Sequence, residues 1–189
     1  MSEPDAVCFL TSAIQELRTL KERAEQALAQ TDDEAFFTPL DAESNSVAIL
    51  VKHLAGNMRS RWRDFLDSDG EKPDRDRDRE FEIAPEDTRD VLRERWESGW
   101  RLLFETLASL DADDLVRTVR VRGESMQVER AILRQLDHYA YHVGQIVLLA
   151  KHSRGSAWRT LTIPRGGSEA FNARMREWQP KAPPGGGST

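Results

Sequence analysis

The chain is short of cysteine, of long apolar runs and of positive charge. Cys8 is the single cysteine in 189 residues, so no internal disulfide can form. No apolar stretch approaches the roughly 20 residues that crossing a bilayer needs. The opening Met1-Ser2-Glu3-Pro4-Asp5 has neither the basic start nor the apolar core of a secretory signal. A formal net charge of -6 argues against a general nucleic-acid binder, which would carry a basic face. These absences lead us to expect a soluble cytoplasmic protein with no nucleic-acid or membrane partner. Cys8 lies among Val7, Phe9 and Leu10 at the start of an apolar helix, and a small buried filler is its expected role.

What is present is helical periodicity. One domain over residues 1–179 is expected, followed by a disordered Pro- and Gly-rich tail at 180–189. Leu10, Ile14, Leu17, Ala24 and Leu28 recur at helical spacing, which predicts a first helix over about 5–30. The connection to the next helix is long for a helix-helix turn and suggests a crossover at this point. Ser44-Asn45-Ser46 can cap a second helix over about 46–67, with Val47, Leu50, Leu54, Met58, Trp62 and Phe65 inward. His53, Asn57 and Arg61 form a row at the edge of that stripe. Pro85-Glu86-Asp87 resembles a helix start, and a third helix is expected over about 85–110, with Trp96 and Trp100 as packing residues. Residues 116–128 read as a short hairpin with Gly123 in its turn. A fourth long helix follows over about 128–152, and Ser168 can cap a short last helix reaching Trp178. The fold class is all-α, a four-helix bundle with a crossover connection and a β-hairpin before the last long helix.

Between the second and third helices, Asp69 to Glu82 alternates acids and arginines whose charges nearly cancel. We read it as a solvated loop. The alternative is a loop whose arginines recognise an anion near a pocket, because arginine suits paired contacts to carboxylate or phosphate.

The chemistry-bearing pattern is His138-x-x-x-His142. Residues at i and i+4 share a helix face, so both imidazoles can point at one place. His53 lies far upstream, on a helix able to pack beside them. The fourth histidine, His152, sits beyond the core near Lys151 and Arg154 and suits the helix C-terminus. The bland alternative for the triad is histidines satisfied by ordinary hydrogen bonds. The metal reading is more specific: three neutral imidazoles would leave a divalent ion with open positions, as in a catalytic or ligand-binding site. Such an ion can lower the pKa of water or stabilise a thiolate. No carboxylate stands in the histidine row to act as a base, and Asp137 points about a quarter-turn away. The H-E-x-x-H protease pattern is absent, since Tyr139 follows His138. No catalytic residue is assigned. Asn57, Arg61, Gln135 and Gln145 lie in the same rows and are the expected substrate-binding residues.

The stretches Ser46 to Met58, Asp69-Gly70-Glu71-Lys72, Gln135 to Gln145 and Ile163-Pro164-Arg165-Gly166 together resemble the DinB-like superfamily of metal-binding four-helix bundles, in particular a bacterial branch that is a domain of unknown function. The resemblance implies a crossover between the second and third helices or nearby, a zinc- or nickel-type ion on His53, His138 and His142, and a homodimer. Relatives in the superfamily include thiol transferases using bacillithiol or mycothiol and a mycothiol-dependent maleylpyruvate isomerase. The function expected is therefore a divalent-metal-binding protein acting on a small molecule, with a low-molecular-weight thiol as co-reactant in S-transfer. Metal-assisted hydrolysis is a variant. The alternative class is a non-catalytic metal- or small-ligand-binding protein linked to stress.

Overall fold

The computed structural model describes residues 2–178. It is mostly helical, with one two-stranded antiparallel sheet. The helices are α1 (Glu3–Leu28), α2 (Asp33–Phe37), α3 (Val47–Trp62), α4 (Arg89–Ala108), α5 (Ala112–Leu115), α6 (Val128–Arg154) and α7 (Ser168–Trp178). The hairpin pairs β1 (Thr118–Val121) with β2 (Glu124–Gln127). The tail expected at 180–189 lies outside the described residues. No helix among the described residues is long and apolar enough to cross a membrane.

Local chemistry explains most boundaries. Ser46 caps α3 by accepting the Ile49 N–H at 3.3 Å. Trp62 is the last residue of α3, earlier than periodicity suggests, because Arg63 is extended and Asp64 takes a left-handed φ of 48°. α4 begins later than Pro85, because Thr88 is the residue that caps it. The Asp87 carboxylate accepts the Ala84 N–H at 2.9 Å and binds Lys52 and Arg95. In the hairpin, Arg122 and Gly123 have φ of 56° and 76°, the paired positive values of a tight turn matching strand twist. Two strands are marginal alone, and these lean on the preceding loop. Asp69 accepts the Arg122 and Gly123 N–H groups at 2.8 Å each, and Gly70 donates to Arg120 O at 2.8 Å.

The four long helices share one apolar core. Trp62, Trp96, Trp100 and Tyr139 are its largest fully buried side chains. α3 packs most extensively on α4, and α1 on α6. Along α3 and α4, Lys52 meets Asp87, Ala55 and Met58 meet Gly99, and the Trp62 carbonyl accepts from Thr106 Oγ1 at 3.1 Å. Later residues meet later residues, so the two helices run in the same direction, which requires residues 63–88 to return along their whole length. The crossover is therefore here and not after α1. At the end of α1, Arg89 of α4 donates to Leu28 O at 2.8 Å and pairs with Asp33 at 2.8 Å, so α2 makes a local turn.

Two further expectations are corrected. Cys8 is exposed, because helical phase turns Ala6, Leu10, Ala13 and Leu17 inward and leaves it on the opposite side. The charged stretch 69–82 is not merely a solvated loop. It ends in a single 3-10 turn, Asp78–Phe81, packed on α3, with Lys72 and Glu80 buried and the Arg75 side chain only 4% exposed. His152 is exposed in the last turn of α6, as expected.

Candidate metal centre

α3 and α6 bring the three histidines together. One ligand nitrogen from each of His53, His138 and His142 lies within 4.8 Å of the others. His53 is buried on α3, His138 half-buried and His142 9% exposed on α6. His53 Nε2 and His138 Nε2 face each other at 3.3 Å. Two donors of a tetrahedral ion bound at about 2.0–2.1 Å would stand about 3.3–3.4 Å apart. The His53–His138 pair is therefore spaced for a divalent ion, and the three histidines together could hold one.

The outer hydrogen bonds fix which nitrogens are available. His53 Nδ1 lies 2.9 Å from Glu80 Oε2. Burial alone would raise the Glu80 carboxyl, but hydrogen bonds from Arg75 and His53 and the charge of Arg75 hold it below its ordinary value. An ionised carboxylate only accepts, so it is the His53 Nδ1–H that donates to Glu80, and Nε2 is the nitrogen turned toward His138. Arg75 grips the same carboxylate with two bonds of 2.8 Å, from Nε and Nη2. On α6, His142 Nδ1 donates to Gln145 Oε1 at 2.8 Å, which leaves Nε2 for the cluster. His138 has a buried Nδ1 with no partner among the described residues. Burial pushes His138 down to about 3, and the neighbouring imidazoles and the Arg61 and Arg75 guanidiniums oppose its protonation further. Burial lowers His142 as well. Both are neutral at pH 7, the state in which imidazole binds metal.

A cavity of about 430 Å³ opens over the cluster. Asn57, Arg61 and Gln135 line it, together with the histidines. Asn57 Oδ1 accepts from Tyr139 Oη at 3.2 Å, and Tyr139 Oη accepts from Trp62 Nε1 at 2.9 Å. Arg61 is buried and donates from Nη1 to Gly70 O and, at 2.9 Å, to Glu71 Oε2. Gln135 is buried, with an Oε1 lacking a partner among the described residues. Gln145 is the exception, since it is absent from the cavity wall and its amide oxygen is spent on His142.

Sequence reasoning missed Glu80, Phe81, Arg122, Arg134 and Tyr141, and reached Arg75 and Arg77 only as arginines of a loop that, in the alternative reading, recognises an anion near a pocket. Glu80 is the nearby carboxylate that the histidine rows lacked, and it comes from the charged stretch. The Phe81 ring lies 4.8 Å from the His53 ring, and the Tyr141 ring 5.0 Å from that of His142. One available signal was Gly56 inside α3, because a glycine in a helix interior marks close approach by another group.

Comparison with known proteins adds a family and no named relative. No curated protein matches the chain. A profile described as "Protein of unknown function (DUF1572)" matches residues 5–167, a span including all three histidines and the Arg75–Glu80 support. By that match the chain belongs to the DUF1572 family.

Proposed function

We propose that the chain is a divalent-metal-binding protein with a DinB-like four-helix bundle, and that it transfers a low-molecular-weight thiol to a small electrophile. The observation that carries the metal reading is the pair of Nε2 atoms 3.3 Å apart, with His142 completing the cluster. His53, His138 and His142 would hold zinc or nickel. A bound ion would supply the charge that favours a thiolate at neutral pH.

The chain's own residues have separable tasks. Glu80 and Gln145 hold His53 and His142 by their Nδ1 protons, fixing ring orientation. Phe81 and Tyr141 flank His53 and His142 with their rings. Asn57, Arg61 and Gln135 are placed to orient a substrate. No carboxylate lines the cavity among the described residues, and Glu80 is already shared between Arg75 and His53. This favours thiol over hydrolytic chemistry, because a thiol with a pKa near 8.5 needs far less help to ionise than water at about 15.7. The thiol would come from a co-substrate, since Cys8 is not among the residues of the cavity wall. The reading includes a homodimer. It is supported by an exposed α6 face, beside the histidine row, that carries Leu133, Ala140, Tyr141 and Leu148.

The test is elemental analysis of untagged protein beside His138→Ala, followed by assay of thiols against electrophiles with His142→Ala as control. Near-stoichiometric zinc or nickel, lost in the first variant, with S-transfer lost in the second, is expected. No metal uptake on reconstitution would overturn the centre. Ligand-dependent stabilisation without turnover would reassign it to non-catalytic binding.

A further inference from the structure

The cavity over the histidines has a wall whose charge is of one sign. Arg61, Arg75, Arg77, Arg122 and Arg134 all line it, and among the described residues no aspartate or glutamate does, in a chain whose net charge is -6. Their carboxylate partners are not among the lining residues. Glu71 Oε2 accepts from Arg61 at 2.9 Å, Arg122 at 3.1 Å and Arg75 at 3.3 Å. Arg134 leans on Glu124 at 3.0 Å. Arg75 spends all three of its nitrogens, two on Glu80 and one on Glu71, whereas the forks of the others are only partly used. Arg122 spends Nε on Glu71, and Arg134 spends Nη1 on Glu124. Arg61 is 6% exposed and keeps a buried Nε without a partner among the described residues. Gathering guanidiniums at one opening is unfavourable unless an anion joins them, and the planar fork is matched to carboxylate and phosphate oxygens.

We propose that this cavity receives a small anionic substrate, whose carboxylate or phosphate is held by Arg61, Arg77, Arg122 and Arg134 while its reacting end lies against the histidines. The substrate role rests on the proposed metal centre, but the anion site stands on the arginines alone. Arg77, Arg122 and Arg134 are about half exposed at the mouth, and Arg61 lies deeper. A cationic opening in an acidic surface focuses field and raises the local concentration of anions. The Arg77 guanidinium stacks over Phe81 at 4.8 Å, and that ring also lies against His53. An apolar or unsaturated body between acid and reacting carbon would lie on this aromatic surface. The volume of about 430 Å³ suits a molecule of metabolite size.

The experiment is calorimetric titration of the chelator-treated, full-length protein with inorganic phosphate, succinate and uncharged succinamide. The same titrations are run on Arg122→Gln/Arg134→Gln and on Arg63→Gln, whose arginine lies outside this cavity. Saturable binding of at least one anion is expected, weakened tenfold or more in the double variant with its circular dichroism unchanged. Arg63→Gln should bind as the unaltered protein does, and succinamide should not bind. Phosphate without succinate would identify a phosphoryl group, and succinate without phosphate a carboxylate. No saturable binding, equal binding by the double variant or by succinamide, or an equal loss in Arg63→Gln overturns the proposal. Metal uptake measured in parallel separates the two readings. Protein that takes up metal but no anion refutes only the anion site, and protein that binds anion but no metal refutes only the metal centre.

Discussion

Gly56 and Glu80 meet so closely that one has no side chain where the other's carboxylate sits. A Cβ on Gly56 would stand 2.7 Å from Glu80 Cδ, well inside contact distance. Gly56 lies three residues after His53 on α3, on nearly the same face. The missing side chain is what lets the carboxylate come down onto the helix and reach His53 Nδ1.

Gly56→Ala should therefore weaken metal binding without harming the helix. Alanine favours helix by about 1 kcal/mol over glycine, so helix content should hold. Glu80 is pinned by Arg75 and cannot simply swing aside. Loss of such a carboxylate–histidine contact typically weakens metal affinity by about 10- to 100-fold. Competition against a chromophoric chelator would measure it, and unchanged affinity would show that Glu80 does not support the ion.

Gln145 and Gln135 should behave differently although both lie in the histidine row. Gln145→Ala removes the acceptor that orients His142 and should lower metal affinity about tenfold. Gln135→Ala should leave metal affinity within about threefold, because it touches the cavity and no histidine nitrogen. The same competition assay ranks the two, and equal effects would contradict the assignment.

Stability of the metal-free protein should fall on mild acidification. His138, pushed down to about 3 by burial and neighbouring charge, and His142, also lowered, bind fewer protons folded than unfolded. Their contribution is complete above the ordinary histidine value near 6.5 and drains away as pH falls toward the folded values. Urea midpoints should decline from pH 7 to pH 5, and His138→Ala should flatten the decline. A flat profile in the unaltered protein would mean that these imidazoles are not held neutral.

Asp87 ties the crossover to both helices that it joins. Its carboxylate, buried and held below its ordinary value against the opposing effect of burial, accepts from Lys52 at 2.5 Å, Arg95 at 2.7 Å and the Ala84 N–H. Asp87→Asn should cost about 2 kcal/mol, because it leaves the partly buried Lys52 ammonium without its counter-charge. Urea unfolding at pH 7 measures the loss. A cost under about 0.5 kcal/mol would place this cluster with ordinary surface pairs.

Tyr139→Phe should cost about 1–2 kcal/mol, as it strips a partner from both Trp62 Nε1 and Asn57 Oδ1 in the core. Chemical denaturation measures it, and a neutral result would mean that water replaces the hydroxyl.

The helices and the histidine row were legible in the sequence because periodicity is local. His138 and His142 share a face by helical spacing alone, and Leu50, Leu54, Met58 and Trp62 mark the buried side of α3 whatever packs on it. The cap at Ser46 and the turn at Arg122-Gly123 are likewise written in a few adjacent residues. That His53 meets the pair could be anticipated from residue type, although its contact with His138 spans 85 positions. The fate of Asp74-Arg75-Asp76-Arg77-Asp78-Arg79 could not be. Arg75 and Arg77 each stand between two aspartates and Arg79 between an aspartate and a glutamate, so nothing local sets Arg75 apart. Only the return of the crossover along α3 buries Arg75 on Glu80, turns Glu80 toward His53, and leaves Arg77 at the cavity mouth. Local spacing determined which side chains each helix presents. The support of the histidines and the cationic wall above them were decided by long-range packing, because burial and charge pairing depend on the whole surroundings of a group and not on its neighbours in the chain.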